Sequence, residues 1–172
     1  LYVSEKVKMH PMILGGGQQK GMRSGTDNVP GIAGLGTAAR MVYENHEEKM
    51  EKLRALKTYL AKNLSEMERV VINGPLPKDG APHIINASFL GVRSEVLLHT
   101  LEDKGIYVSA GSACSSHKRA ASASMTAISA DQERRESAIR FSLSEFTTKE
   151  ELDYTLEQIR TVLPVLRKYA RH

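Results

Sequence analysis

Apolar residues recur at helical spacing in several stretches of the 172-residue chain. Ile32, Leu35, Ala39 and Val42 share one face, and Leu53, Leu56, Leu60 and Leu64 continue the same spacing. The pattern predicts one long helix from Pro30 to about Met67. Pro30 suits its first turn, where a missing N–H costs no helical partner. The run Glu44 to Arg54 is highly charged, which predicts that this helix crosses from one packing unit to another. A second helix is predicted from Ser94 to about Lys104, with Leu97, Leu98 and Leu101 inward and Gly105 as its stop. A third starts at Thr148-Lys-Glu-Glu151, where Thr and Glu can each satisfy the other's backbone N–H. Leu152, Leu156, Ile159, Leu163 and Leu166 carry it onward, and Pro164 is expected to kink or shorten it.

Short β-like runs lie between these segments: Val70-Val71-Ile72, Ile84 to Phe89, Ile106-Tyr107-Val108 and Ala138 to Leu143. Leu1-Tyr2-Val3 reads as a further short strand with nothing before it, which suggests a piece of something longer. Gly15-Gly16-Gly17, Gly21, Gly25 and Pro30 mark a long turn-rich passage. Gly, Ser and Ala dominate from Ser109 to Ala130, the one low-complexity loop. Strands separated by helices predict an α/β or α+β fold, with helices covering a small sheet.

Composition narrows the partners. The formal net charge of +4 comes from positive residues interspersed with acids along most of the chain. A nucleic-acid reader gathers its charge on a stripe or motif, and none is visible, so no direct nucleic-acid contact is expected. One cysteine forms no internal disulfide. No apolar run approaches the ~20 residues of a membrane span, and no signal peptide opens the chain. The expected location is cytoplasmic.

That cysteine, Cys114, sits in Val108-Ser-Ala-Gly-Ser-Ala-Cys-Ser-Ser116, among neighbours too small to enclose it. A lone cysteine is commonly a small buried hydrophobe. Here His117, Lys118 and Arg119 follow directly, and their charge would favour the nucleophilic thiolate. A small-residue loop suits a thiol that collects something in one place and delivers it in another. Gly15 to Gly31, "GGGQQKGMRSGTDNVPG", is a structural turn or a phosphate-holding loop, with Ser24, Thr26 and exposed N–H groups ahead of a helix. It lacks the Gly-Lys-Ser/Thr of a Walker loop. Arg140 stands in the apolar run "AIRFSL", either at an edge facing water or in a cleft where its fork binds a carboxylate. The histidines His10, His46, His83, His99, His117 and His172 are scattered without metal-ligand spacing. His99 reads as packed or at the surface, and His46 as facing solvent.

Three stretches in this order, "GGGQQKGMRSGTDNVPG", "INASFLGV…EVLLHTLEDKGIYVSAGSACSS" and "AIRFSLSEFTTKEELDYTLEQI", resemble the C-terminal portion of a cysteine desulfurase of the NifS/IscS type. These are relatives of the class V aminotransferases that use pyridoxal phosphate in a fold type I architecture. The resemblance spans nearly the whole chain. It implies an enzyme that removes sulfur from L-cysteine, leaving alanine, and passes the sulfur to an iron-sulfur scaffold or a tRNA-thiolation protein. It implies that Cys114 is the thiol that becomes a persulfide and that Arg140 binds the substrate carboxylate. Thr26 would then reach the cofactor phosphate of the other subunit in a homodimer.

The cofactor-binding lysine of the family lies in a Ser-x-His-Lys segment upstream of the stretch matching Leu1-Tyr2-Val3. Ser115-Ser116-His117-Lys118 repeats that pattern, but it directly follows the loop cysteine, a poor place to hold a cofactor rigidly. On this pattern residues 1–46 are the tail of the large cofactor-binding domain and residues 47–172 the small C-terminal domain. The chain alone is expected to be inactive, with the N-terminal half as a required partner. Two other readings stand beside it: a non-catalytic remnant that dimerises or docks, and a selenocysteine lyase.

Overall fold

The computed structural model describes residues 2–75, 80–111, 123–128 and 131–169. The chain forms two compact units, Leu1–His46 and Glu47–His172.

In the first unit, a 3-10 turn at Gln18–Gly21 precedes helix α1 (Val29–Tyr43). Asn28 caps α1 by accepting a hydrogen bond from the Gly31 N–H at 3.1 Å. The helix stops where Asn45 takes a positive φ of 53°, a conformation that Asn tolerates better than most residues. The long helix expected from Pro30 to Met67 is therefore two helices, α1 and α2 (His46–Ser65). Ile32, Leu35 and Val42 of α1 are exposed. Tyr2 and Val3 form no strand; a strand exists only against a partner that takes up its backbone groups.

The second unit is built around a four-stranded sheet in the order β1-β2-β4-β3. Its strands are β1 (Val70–Asn73), β2 (Ile84–Phe89), β3 (Ser109–Ala110) and β4 (Ala138–Ser142). Every pairing is antiparallel. β3 starts after the expected Ile106–Val108, because the pairing register joins Ser109 to Arg140 and Ala110 to Ile139. Helices α3 (Ser94–Glu102), α4 (Ala123–Ile128), α5 (Gln132–Glu136) and α6 (Lys149–Tyr169) complete the unit. The loop expected from Ser109 to Ala130 thus contains both β3 and α4.

Alternation along the strands sorts the two sheet faces. Ile85, Ala87, Phe89, Ile139 and Phe141 are buried with Leu53, Leu56, Leu60 and Leu64 of α2, Leu97 and Leu101 of α3, and Leu152, Leu156, Ile159 and Leu163 of α6. The opposite face carries Asn86, Ser88 and Arg140. One face packed and one face polar is a normal arrangement for an antiparallel sheet.

The expected cap of α6 is present: Thr148 N–H donates to Glu151 Oε2 at 2.9 Å, and Glu151 N–H donates to Thr148 Oγ1 at 3.2 Å. The helix continues past Pro164 to Tyr169. Leu163 is buried beside the proline, and Arg167 ties the last turn to the carbonyls of Leu90, Glu68 and Arg69. Packing and these bonds outweigh the lost backbone bond.

Candidate functional site

The register aligns Asn73, Asn86, Arg140 and Ser109 in one row across all four strands. Cross-strand partners point to the same side of a sheet, so this row is a polar band on the face away from the core. Arg140 is exposed on β4, and its Nη2 donates to Ser109 Oγ at 3.3 Å. It has no ion pair among the described residues. An exposed guanidinium with no acid beside it among the described residues can take a carboxylate through two parallel hydrogen bonds.

Cys114 lies outside the described residues, as do His117 and Lys118. β3 ends at Ala110, so Cys114 follows the strand paired with Arg140 by four positions in sequence.

In the first unit the loop around Thr26 is organised by Arg23. Its Nη1 donates to the carbonyls of Ser24, Gly25 and Thr26 at 3.3, 2.9 and 3.2 Å. Its Nη2 pairs with Asp27 Oδ1 at 3.2 Å. Gly25 has φ +105°, which favours glycine. Carbonyls drawn to Arg23 leave Thr26 exposed, with neither its hydroxyl nor its N–H bonded among the described residues. Ser24 takes the structural-turn alternative. It is buried, and its Oγ donates to the Gly16 carbonyl at 2.7 Å, so that hydroxyl stabilises the loop.

His46 departs from expectation. Its Nδ1 is buried without a hydrogen-bond partner among the described residues, and its ring lies 5.4 Å from that of Tyr43. His99 is at the surface, with Nδ1 3.1 Å from Glu102 Oε2.

One cluster was invisible in the sequence. Arg134 Nε donates to Asn73 Oδ1 at 2.6 Å, joining residues 61 positions apart. No local spacing signals such a contact.

Residues 1–155 match the family model described as aminotransferase class-V. The chain belongs to this family. Among class-V relatives, the cysteine desulfurase IscS of Salmonella paratyphi C (strain RKS4594) is 42% identical over 169 residues, covering 97% of this chain and 41% of the relative. The IscS of Escherichia coli O139:H28 is 43% identical over the same length and shares. Among solved structures, a NifS-like protein superposes with a TM-score of 0.80 at 33% identity, over 96% of this chain and 42% of that one. A NifS-like protein from Rickettsia africae ESF-5 gives a TM-score of 0.73 at 29% identity, over 92% and 41%. The chain thus spans about two-fifths of the length of the curated relatives it matches. The expected mixed α/β architecture of the pyridoxal-phosphate-dependent fold agrees with these neighbours.

Class-V membership implies pyridoxal phosphate as cofactor. Its phosphate requires hydrogen-bond donors, and the exposed Thr26 has a hydroxyl and an N–H with no bond among the described residues, so in that respect the loop fits the group. Among the described residues no helix is long and apolar enough to cross a membrane.

Proposed function

We propose that this chain carries the substrate-binding and sulfur-accepting part of a cysteine desulfurase, with residues 1–46 belonging to the cofactor domain and residues 47–172 forming the small domain. The observation that carries the reading is Arg140. Its exposed guanidinium has no acidic partner among the described residues, and its strand pairs with the one that leads in sequence to Cys114.

The roles are those that the resemblance to cysteine desulfurases implies. Arg140 binds the L-cysteine carboxylate and so fixes which way the substrate sulfur points. The Cys114 thiolate attacks that sulfur. The carbon–sulfur bond breaks, its electron pair stays on carbon, and a proton completes the methyl group of L-alanine. The new sulfur–sulfur bond leaves a persulfide on Cys114. One L-cysteine and one thiol give one L-alanine and one persulfide, so no external oxidant is needed. Pyridoxal phosphate, when bound, would supply the electron sink that stabilises the pair left on carbon. Thr26 would hold its phosphate across a homodimer interface, through the hydroxyl and N–H that have no bond among the described residues. Small neighbours around Cys114 allow the sulfur to move on to an acceptor protein, such as an iron-sulfur scaffold or a tRNA-thiolation protein, in a cytoplasmic setting.

The test is to supply the chain with pyridoxal phosphate and with a polypeptide covering the family's N-terminal part, then measure alanine released from L-cysteine. Cys114→Ser should abolish alanine formation while cofactor absorbance is retained. Turnover at full rate in that variant would refute the role of Cys114.

A further inference from the structure

The outer face of the sheet holds a cluster that the roles above do not use. α5 has only five residues, too few to be stable through its own hydrogen bonds. It is nevertheless tied down along its length. Asp131 Oδ1 accepts from the Glu133 and Arg134 N–H groups at 2.9 and 3.5 Å. Arg69 Nη2 meets Glu133 Oε1 at 2.9 Å. Arg134 donates from Nε to Asn73 Oδ1 at 2.6 Å and from Nη2 to the Ile72 carbonyl at 3.3 Å. The Arg134 carbonyl accepts from Ser88 Oγ at 2.6 Å, and the Ser137 carbonyl accepts from the Phe89 N–H at 3.0 Å.

The bonds then run across the sheet. Asn73 is buried, and its Nδ2 donates to Ser88 Oγ at 2.7 Å and to Asn86 Oδ1 at 2.6 Å. Asn86 is the register partner of Arg140. Arg134, Asn73 and Asn86 therefore form a bonded line that ends beside Arg140, which Ser109 holds from its other side.

We propose that Arg134 is a positioning residue: through Asn73 and Asn86 it fixes α5 and the adjoining strand β4, and so sets where Arg140 meets a substrate carboxylate. The proposal rests on the desulfurase reading above. Its logic is geometric. α5 leads through Ser137 directly into β4, so its anchor lies just before the strand on which Arg140 is in register with Asn86. Sulfur transfer demands that the bound substrate and the thiol meet in a narrow range of geometries. A fork that donates two bonds in a fixed plane is suited to such an anchor, and a lysine point charge is not.

Two measurements on Arg134→Leu, Arg134→Lys and Arg140→Ala test this, on the chain supplied with pyridoxal phosphate and the N-terminal polypeptide. The first is hydrogen exchange, which needs no turnover. In Arg134→Leu, amides of residues 132–142 should exchange about tenfold faster while those of α6 stay unchanged, with Arg134→Lys between it and the parent. The second is preference for L-cysteine over cysteamine, which lacks the carboxylate. A mere loss of folded protein lowers both rates alike and leaves their ratio intact, whereas misplacing Arg140 should reduce the ratio roughly fivefold. Unchanged exchange in residues 132–142, or an unchanged ratio, would overturn the proposal. If Arg140→Ala itself leaves the ratio unchanged, the role assigned to Arg140 fails instead, and the anchoring of α5 is then judged by exchange alone.

Discussion

Replacing Arg140 by alanine separates binding from structure, because the two roles predict effects of very different size. Arg140 is exposed, and its described side-chain bond is one long contact to Ser109 Oγ at 3.3 Å. Surface substitutions of this kind change stability by about 0.5 kcal/mol or less. Binding is another matter. A hydrogen bond to a charged group contributes roughly 1.5–3 kcal/mol, so loss of the carboxylate clamp should lower kcat/KM for L-cysteine about ten- to a hundredfold. Denaturant unfolding and steady-state sulfide release in the presence of a thiol reductant, which reports either substrate, give both quantities on the same preparations. Arg140→Ala should unfold at nearly the parent midpoint and lose activity on L-cysteine far more than on cysteamine. Equal loss on both substrates, or a loss that tracks a lowered midpoint, would refute the reasoning.

Three further outcomes follow from the fold. Phe89 is fully buried, its ring 6.3 Å from that of Phe141, so Phe89→Ala should cost about 3–5 kcal/mol in denaturant unfolding; a cost below a third of that would contradict the core described here. Thr148→Ala removes one half of the α6 cap and should cost about 1 kcal/mol, read from the same transition. Lys57 is buried on α2 with Nζ donating to the Ala81 carbonyl at 2.8 Å, and burial holds its pKa below the ordinary lysine value. The unfolded chain then binds the proton more tightly than the folded one, so this site adds stability as pH rises from the folded pKa toward the ordinary value. Lys57→Met should flatten that alkaline rise in the unfolding midpoint, and an unaltered pH profile would count against it.

Much of the second unit was legible because its signals are local. Ile84 to Phe89 and Ala138 onward read as strands from their apolar runs, and Thr148 with Glu151 announced the start of α6. Leu53, Leu56, Leu60 and Leu64 marked the buried stripe of α2 at the correct spacing. The break between α1 and α2 was not legible, since it depends on a single positive φ at Asn45 within a continuous helical pattern. β3 was displaced because edge pairing with Arg140 and Ile139, rather than the apolar character of Ile106 to Val108, selects its residues. At the candidate site, Arg140 stood out as a charge in an apolar run. Its neighbours did not: Asn86 and Ser109 meet it only through strand order, and Arg134 reaches Asn73, in the same row, across 61 positions. The sequence left open whether Ser24 serves the turn or a phosphate, because its burial beside Gly16 is a product of how the glycine-rich loop closes.

The most direct test of the account is the mass of Cys114 after a single turnover. The chain, supplied with the N-terminal polypeptide and pyridoxal phosphate, is mixed with one equivalent of L-cysteine, quenched with an alkylating agent and digested. The account predicts that the peptide containing Cys114 gains one sulfur atom, and that alanine appears in equal amount. Alanine formed without that added sulfur on Cys114 in a single-turnover time course would contradict it.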